Sequence, residues 1–199
     1  MPINVENEFK TRITATQAAA IRDDYDFAAP YRQTNTYYDT PDFALKANRS
    51  AGRIRTFSDR AEQTLKVLTA TEPRHILEYT DVLSLEDAAE LIKQGTLRLS
   101  GTLHAELQAL GIDPTQVHPF TFATTTRREC QLDVGLLVLD ETVFPDDFKD
   151  WELEMEYDQA NLKAAQTFFD QLKETYAITP APIDSKVSRA TAHRQVSER

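Results

Sequence analysis

The segment Val5-Glu6-Asn7-Glu8-Phe9-Lys10-Thr11-Arg12 alternates charged residues with uncharged ones. A period of two is the signature of a β-strand, in which successive side chains point to opposite faces of the sheet. We therefore expect Glu6, Glu8, Lys10 and Arg12 to share one face of a first strand. In an ordinary half-buried strand the solvent face carries charges of mixed sign without order. Here two acids are followed by two bases.

The same ordered grouping of charge recurs in later segments. Trp151-Glu152-Leu153-Glu154-Met155-Glu156-Tyr157 has three carboxylates on one face and four large apolar or aromatic side chains on the other. Arg53 and Arg55 also share a face, and Lys66 stands between two apolar residues. For any single strand, the simplest interpretation is a solvated sheet face. For the whole set we favour charges that line an internal site.

These groupings predict a site that binds both a metal and phosphate. Carboxylates alternating along one strand repel each other. A divalent cation would remove that repulsion, because hard cations such as Mg²⁺ prefer oxygen ligands and combine carboxylates with substrate phosphates. Guanidinium groups bind phosphate oxygens in bidentate fashion. The acidic strands therefore suit a metal, and the basic strands suit phosphate.

The rest of the chain predicts an α+β fold with an antiparallel sheet that can close on itself. Helices are predicted through Ala18–Ile21 and over Glu86–Gln94, Leu103–Leu110 and Gln159–Tyr176, with Ser84 as an N-cap and Gly95 as a stop. About eight strands are predicted from period-two patterns: Asn4–Ile13, Gln33–Tyr38, Gly52–Phe57, Gln63–Leu68, His75–Leu83, Phe120–Leu132, Gly135–Phe144 and Trp151–Tyr157.

Composition limits the class of protein. A chain of 199 residues that is 41% hydrophobic and 27% charged is typical of a single globular domain, so we expect one domain over residues 1–199. No signal peptide is recognised, and the single cysteine, Cys130, fits a reducing compartment, so we expect a cytoplasmic protein. The net charge of −10 disfavours nucleic-acid and membrane partners. Neither GxxxxGK[ST] nor GxGxxG occurs.

The order of the motifs resembles the CYTH family, the triphosphate tunnel metalloenzymes. The resemblance covers about residues 3 to 190. Glu6-Asn7-Glu8-Phe9-Lys10 is similar to the ExExK motif of that family. The later matches follow in the family's order: Tyr37-Tyr38-Asp39-Thr40, Arg53-Ile54-Arg55, Leu65-Lys66-Val67, Glu78, Arg127-Arg128, Leu139-Asp140, Glu152-Leu153-Glu154 and Ser185-Lys186.

The resemblance implies an eight-stranded antiparallel β-barrel, a tunnel fold with peripheral helices, that binds a small triphosphate with Mg²⁺ or Mn²⁺. It implies metal ligands at Glu6, Glu8, Glu152 and Glu154. It implies phosphate contacts from Lys10, Arg53, Arg55, Lys66, Arg128 and Lys186. Glu78 and Asp140 would hold a second metal or orient the basic side chains, so that the predicted catalytic set is Glu6, Glu8, Lys10, Glu78 and Asp140.

The sequence leaves the orientation of two side chains open. Arg127 and Arg128 point to opposite faces of their strand, so only one can face the tunnel, and we expect Arg128 to do so. Glu156 extends the last acidic strand and lies either in the site or at its rim.

Three functions fit these residues. Hydrolysis of inorganic triphosphate or of a small organic triphosphate such as thiamine triphosphate ranks first. A class IV-type adenylate cyclase needs a purine pocket as well, which no sequence feature specifies. A non-catalytic sensor of polyphosphate or nucleotide gains nothing from carboxylates beside its phosphates. Dimers occur among relatives, so a homodimer is a further expectation.

Overall fold

A computed structural model describes residues 4–71, 74–179 and 184–194. Its eight strands form one closed barrel, in the order β1-β5-β4-β3-β2-β6-β7-β8. The strands are β1 Asn4–Ile13, β2 Tyr31–Asp39, β3 Ser50–Thr56, β4 Ala61–Thr71, β5 Arg74–Leu83, β6 His118–Leu132, β7 Gly135–Val143 and β8 Lys149–Glu156. The predicted eight-stranded antiparallel barrel is confirmed.

The barrel closes because β1 pairs with strands on both of its sides. It pairs antiparallel with β5 through Val5 opposite Leu77, and with β8 through Lys10 opposite Glu154. On the far side of the ring, β6 links β2 to β7. The charged faces of the first and last predicted strands are thereby placed side by side.

In the described part of the chain, six α-helices surround the barrel: α1 Ala15–Asp24, α2 Ala44–Ala47, α3 Leu85–Gln94, α4 Thr102–Ala109, α5 Leu162–Thr175 and α6 Lys186–Ala192. Thr14 caps α1 in a capping box with Gln17, and Ser84 caps α3 by accepting from the Asp87 amide. The αL residue Gly95 ends α3, with φ of 68°.

The two larger apolar cores lie outside the barrel wall, and a smaller cluster of Tyr37, Ala123, Phe144 and Ala190 packs α6 against β2 and β6. One packs α1 and α5 against β1, β6, β7 and β8, with Ile21, Leu153 and Phe169 among its members. The other packs α3 and α4 against β3, β4 and β5, around Leu65 and Leu107. Because each strand gives its apolar face to the helices, its polar face is left to line the interior.

The elements differ from the sequence prediction in a few places. Strand ends agree to within three residues, and the predicted helix Gln159–Tyr176 is a 3₁₀ turn over Gln159–Asn161 followed by α5. The short helices α2 and α6 were not predicted. The expectation of a single domain stays a prediction. No helix among the described residues is long and apolar enough to span a bilayer.

Candidate active site

The barrel encloses a cavity of about 1350 Å³ whose walls carry both acidic and basic side chains. Its lining includes most of the residues singled out from the sequence: Glu6, Glu8, Lys10, Arg53, Arg55, Lys66, Glu78, Glu154 and Lys186. Asp140 and Glu152 are buried behind this lining, with 0% and 1% of their surface exposed. The alternation of the strands therefore brings the predicted residues together, although their roles stay predictions.

The acidic side of the cavity is built by β1 and β8. Lys10 lies between two carboxylates, with its Nζ 2.9 Å from Glu8 Oε1 and 3.1 Å from Glu154 Oε1. Burial, together with repulsion from Glu154 and Glu6, raises the pKa of Glu8. Lys10 thus joins the carboxylates of β1 and β8 in one cluster.

A second cluster joins β1 to β4 and β5. Lys66 Nζ lies 2.5 Å from Glu6 Oε2 and 2.6 Å from Glu78 Oε1. Burial opposes ionisation of Glu6, yet the Lys66 ammonium lowers the pKa of Glu6 to about 2. Arg53 extends the cluster, with Nη2 3.7 Å from Glu78 Oε1. Glu78 thus holds two of the predicted phosphate-binding cations.

Lys186 enters the cavity at the first turn of α6, which Ser185 caps by accepting from the Ser188 amide. Its ammonium group contacts three carboxylates: Asp140, Glu152 at 2.8 Å and Glu154 at 3.2 Å. These contacts, against the effect of burial, raise the pKa of Lys186 well above its ordinary value. The lysine is therefore protonated and fixed at neutral pH.

The basic side of the cavity carries an excess of positive charge. Arg55 donates from Nε to Asn35 at 2.8 Å, and its Nη1 is 3.6 Å from Glu62. Burial and repulsion from Arg53 and Arg127 lower the pKa of Arg55 to about 10. Arg55 stays charged at neutral pH, and a bound anion would relieve this repulsion.

The expectation that Arg128 faces the tunnel is wrong. Arg127 lines the cavity and forms a bidentate pair with Asp140, with both N···O distances at 2.8 Å, and it also donates to Glu154 at 2.8 Å. Arg128 lies on the outer face, in a small pocket beside α1 and Trp151. The reason is the alternation of side chains along β6. Arg128 shares a face with Cys130, and Cys130 packs in the outer core under the helices, so Arg128 also faces outward.

Glu156 lies in the site and lines the cavity. Its Oε1 is 3.5 Å from Arg127 Nη1, and 29% of its side chain is exposed. Burial raises the pKa of Glu156 to about 7, with repulsion from Glu154, Glu6 and Glu8 adding to the effect. Glu156 is therefore a carboxyl group that changes its charge near neutral pH.

Sequence reasoning missed Arg189 and Asp150, which anchor α6 to the barrel. Arg189 is 6% exposed and contacts Asp150 at 2.6 Å and Glu152 at 2.9 Å. Asp150 shares its face with Glu152 and Glu154, so extending the period of β8 by one step would have identified it. Arg189 lies three residues after Lys186, and only the unpredicted helix α6 brings both to one side.

The residues present fit a divalent cation. Oxygens of Asp140, Glu152 and Glu154 lie within 4.8 Å of one another among the described residues, but the Lys186 ammonium already contacts all three. Glu6, Glu8 and Glu154 line the cavity and offer carboxylate oxygens there. Burial, together with repulsion from neighbouring carboxylates, raises the pKa of Glu8 and of Glu156, which lie on the same wall. Carboxylate oxygens are the ligands that Mg²⁺ and Mn²⁺ prefer.

Comparison with known proteins identifies the family and the fold. Residues 4–183 match the profile of the CYTH domain. The chain is 27% identical to YjbK of Bacillus subtilis strain 168, a proposed triphosphatase, over 95% of both chains. A crystal structure of a proposed adenylate cyclase from Bacillus halodurans has a TM-score of 0.81 at 26% identity, covering 95% of this chain and 98% of the other. A Hippeastrum protein described by its dominant triphosphatase activity shares the fold, with a TM-score of 0.79 at 18% identity and coverage of 96% and 98%.

Proposed function

This chain belongs to the CYTH domain family, and from that membership we propose that it hydrolyses a triphosphate compound in a metal-dependent reaction. One observation carries the proposal: an acidic wall and a basic wall line the same cavity. The acidic wall has raised carboxyl pKa values at Glu8 and Glu156, and the basic wall has a lowered guanidinium pKa at Arg55. A metal–triphosphate complex supplies the opposite charge to both walls at once.

The basic side chains have the geometry to hold phosphate. Arg53 and Arg55 share the inner face of β3, and Arg127 approaches from β6. Guanidinium groups bind phosphate oxygens bidentately and stay charged in a buried site. Phosphoryl transfer needs mainly such positioning and charge stabilisation, with little covalent chemistry from the protein. In our proposal these arginines neutralise charge on the leaving phosphate.

Glu6, Glu8 and Glu154 are the proposed ligands of Mg²⁺ or Mn²⁺. A bound metal supplies charge neutralisation on phosphate oxygens and acidifies a coordinated water. Lys10 orients Glu8 and Glu154 at 2.9 and 3.1 Å, and against the effect of burial it lowers the pKa of Glu154. Glu152 was expected as a fourth ligand, but it contacts both Lys186 and Arg189, so we assign it to positioning α6. Glu78 and Asp140 similarly orient Lys66, Arg53, Arg127 and Lys186.

Hydrolysis is favoured over cyclisation of ATP. The relative from Bacillus subtilis is a proposed triphosphatase, whereas that from Bacillus halodurans is a proposed adenylate cyclase. Cyclisation requires a ribose hydroxyl to replace water as the attacking group. In our proposal the charged groups of the cavity hold phosphate, hold metal or orient one another, and hydrolysis requires no further group. The cyclase remains the second candidate, and cyclic AMP among the products of ATP would establish it.

The test is release of orthophosphate from tripolyphosphate, with and without Mg²⁺ or Mn²⁺. We expect turnover only with metal, and a loss of roughly 100-fold or more in Glu154→Gln, because that substitution removes a charge at the reacting centre. Glu141→Gln is the matched control, since Glu141 lies on the neighbouring strand and pairs outside the cavity with Lys149. Equal activity of Glu154→Gln and Glu141→Gln would show that the site is misassigned.

Other expectations from the sequence stay predictions. These are a cytoplasmic location, the absence of nucleic-acid and membrane partners, and a homodimer.

A further inference from the structure

The cavity reaches both ends of the barrel. Asp39, at the end of β2, lies opposite His118, at the start of β6, in an antiparallel pair. The loop of residues 40–49 that follows β2 therefore lies at one end of the barrel, and the turn of residues 133–134 that follows β6 lies at the other. Both segments contribute exposed side chains to the lining of the same cavity. Ligands can therefore approach the site from two directions.

The loop end of the cavity carries positive charge. Lys46 and Arg49 are exposed and line the cavity, and we call the end that they define the basic end. Asp39 lines the cavity here too, but it is 7% exposed and its carboxylate accepts from three loop amides. Arg53 follows on β3, in the strand that begins at Ser50. An anion that approaches the basic end meets positive charge before it reaches the arginines of the site.

The opposite end of the cavity carries negative charge. Asp133, in the turn, and Asp158, two residues after β8 ends, are exposed and line the cavity. Glu156 lies opposite Leu136, at the start of β7, which places the end of β8 beside the turn. Glu129 lines the cavity on the last part of β6. Asp133 and Asp158, together with the less exposed Glu129 and Glu156, define the acidic end.

The acidic end adjoins the proposed metal ligands. Glu156 lies directly opposite Glu8 where β8 pairs with β1. Gln33 lies two residues from Tyr31, whose hydroxyl donates to Glu129 at 2.7 Å. Gln33 lines the cavity and is 2% exposed, and its Oε1 has no hydrogen-bond partner among the described residues. A buried acceptor without a donor is costly, and carbonyl and carboxylate oxygens are the groups that hard cations prefer. This part of the cavity therefore suits a cation and disfavours an anion.

We propose that the two reactants enter the cavity from opposite ends, the triphosphate through the basic end and the divalent cation through the acidic end. Loss of the charges of Lys46 and Arg49 then slows entry of the anion alone. Loss of the charges of Asp133 and Asp158 slows entry of the cation alone. The inference rests on the proposed function, because it takes a triphosphate as the anion.

Electrostatic steering sets the size of the expected effect. The chain has a net charge of −10, so most of its surface repels an anion, and a local positive entrance favours the anion's approach. Clefts lined by one sign of charge raise association rates by roughly 10- to 1,000-fold. Charges at a rim act mainly on the association rate and on its salt dependence. The Debye length falls from about 30 Å at 0.01 M salt to about 8 Å at 0.15 M, so added salt should weaken the effect.

Two double variants separate the two ends. Lys46→Gln/Arg49→Gln neutralises the basic end, and Asp133→Asn/Asp158→Asn neutralises the acidic end. The matched controls each remove two exposed charges of the same sign from residues that do not line the cavity: Arg22→Gln/Lys93→Gln and Glu86→Gln/Glu90→Gln. Thermal melting checks that all four variants are folded.

Two measurements follow the two reactants. Association of Mn²⁺ with the substrate-free protein is followed by stopped flow, with a fluorescent chelator that reports free Mn²⁺. Values of KM and kcat for tripolyphosphate are measured at saturating Mn²⁺. Both measurements are made at about 10 mM and about 150 mM ionic strength, because screening should reduce any effect of steering.

We expect Lys46→Gln/Arg49→Gln to raise KM for tripolyphosphate roughly fivefold or more at low salt, with kcat within about twofold of wild type. The same variant should not slow Mn²⁺ association. Asp133→Asn/Asp158→Asn should slow Mn²⁺ association roughly fivefold or more at low salt and leave KM for tripolyphosphate unraised. Both effects should shrink at the higher ionic strength, and both controls should match wild type within about twofold.

Either of two results would overturn the proposal: a KM in Lys46→Gln/Arg49→Gln no higher than in its control, or Mn²⁺ association in Asp133→Asn/Asp158→Asn no slower than in its control. If wild type still hydrolyses tripolyphosphate in that case, the proposed function stands without separate entrances. If wild type neither binds nor hydrolyses tripolyphosphate, the proposed function fails and this inference fails with it.

Discussion

The paired substitutions Arg127→Ala and Arg128→Ala test which face of β6 forms the site. Arg127 donates to Asp140 twice and to Glu154 once, all at 2.8 Å, and these acids are 0% and 2% exposed. Removing one partner of a buried ion pair costs about 3–5 kcal/mol, because a charge is left buried without compensation. Lys186 still contacts both acids in the variant. We therefore expect the lower end, about 3 kcal/mol.

The adjacent position provides the control. Arg128 lies in the outer pocket beside α1, and the structure gives it no ion pair among the described residues. A substitution away from buried pairs changes stability by roughly 0.5 kcal/mol or less. The two variants remove the same side chain from neighbouring residues of one strand, so they differ mainly in the face that is affected.

Urea unfolding and thermal melting of both variants give the result. For a chain of this size, 1 kcal/mol shifts Tm by about 2–4 °C, so Arg127→Ala should melt about 6–12 °C below wild type and Arg128→Ala within about 2 °C. Phosphate release from tripolyphosphate should fall at least 100-fold in Arg127→Ala and Arg127→Lys, and remain near wild type in Arg128→Ala. If Arg128→Ala is the more damaging of the two, our assignment of the inner face is wrong.

Three further predictions concern charge and metal. Glu156 has its pKa raised to about 7 from 4.5, so the folded state binds the proton more tightly than the unfolded state. Stability therefore falls as pH rises from about 4.5 to 7, and Glu156→Gln should remove that part of the decline in urea titrations at pH 5 and pH 7.5. Glu6 has the opposite shift, to about 2, so it contributes stability above pH 4.5 that is lost as pH falls toward 2. Glu6→Gln should flatten this acid limb, and an unchanged limb would contradict the Glu6–Lys66 pair. Mg²⁺ with tripolyphosphate at about 100 times its dissociation constant should raise the Tm of wild type by about 5–10 °C, and that of Glu154→Gln much less.

The fold was predictable because each strand carries two patterns at once. In β8, the even-numbered acids and the odd-numbered apolar residues identify two distinct environments, and in β1 charged residues alternate with uncharged ones from Val5 to Ile13. The charged face was assigned to the interior because its signs were ordered, and the resemblance to the CYTH family implied helices around the barrel. Both assignments are confirmed by the two outer cores around Leu153 and Leu65.

The remaining details depend on information that alternation does not contain. Of two adjacent arginines such as Arg127 and Arg128, alternation alone allows either one to face the cavity. The packing of Cys130 under the helices decides that Arg128 faces outward. Helix α6 has seven residues and no extended apolar stripe, so its formation depends on contacts such as Arg189 with Glu152. The pairing of β2 with β6 shifts register between Tyr37 and Tyr38, which leaves Phe120 as an extra residue of β6. The period of two counted from Arg128 would place Phe120 on the outer face, whereas its side chain lines the cavity.

The strand order has a consequence for how the chain is made. The first five strands are contiguous in the ring, so residues 4–83 can associate into a curved sheet while later residues are still being synthesised. That sheet has two open edges, β1 and β2, and the ring closes only when β8 reaches β1 at residues 149–156. Exposed edges invite aggregation, and charged side chains along an edge discourage it. The glutamates and lysine of β1 lie along this open edge. We therefore expect the charges that we assign to catalysis to discourage aggregation between incomplete chains during synthesis as well.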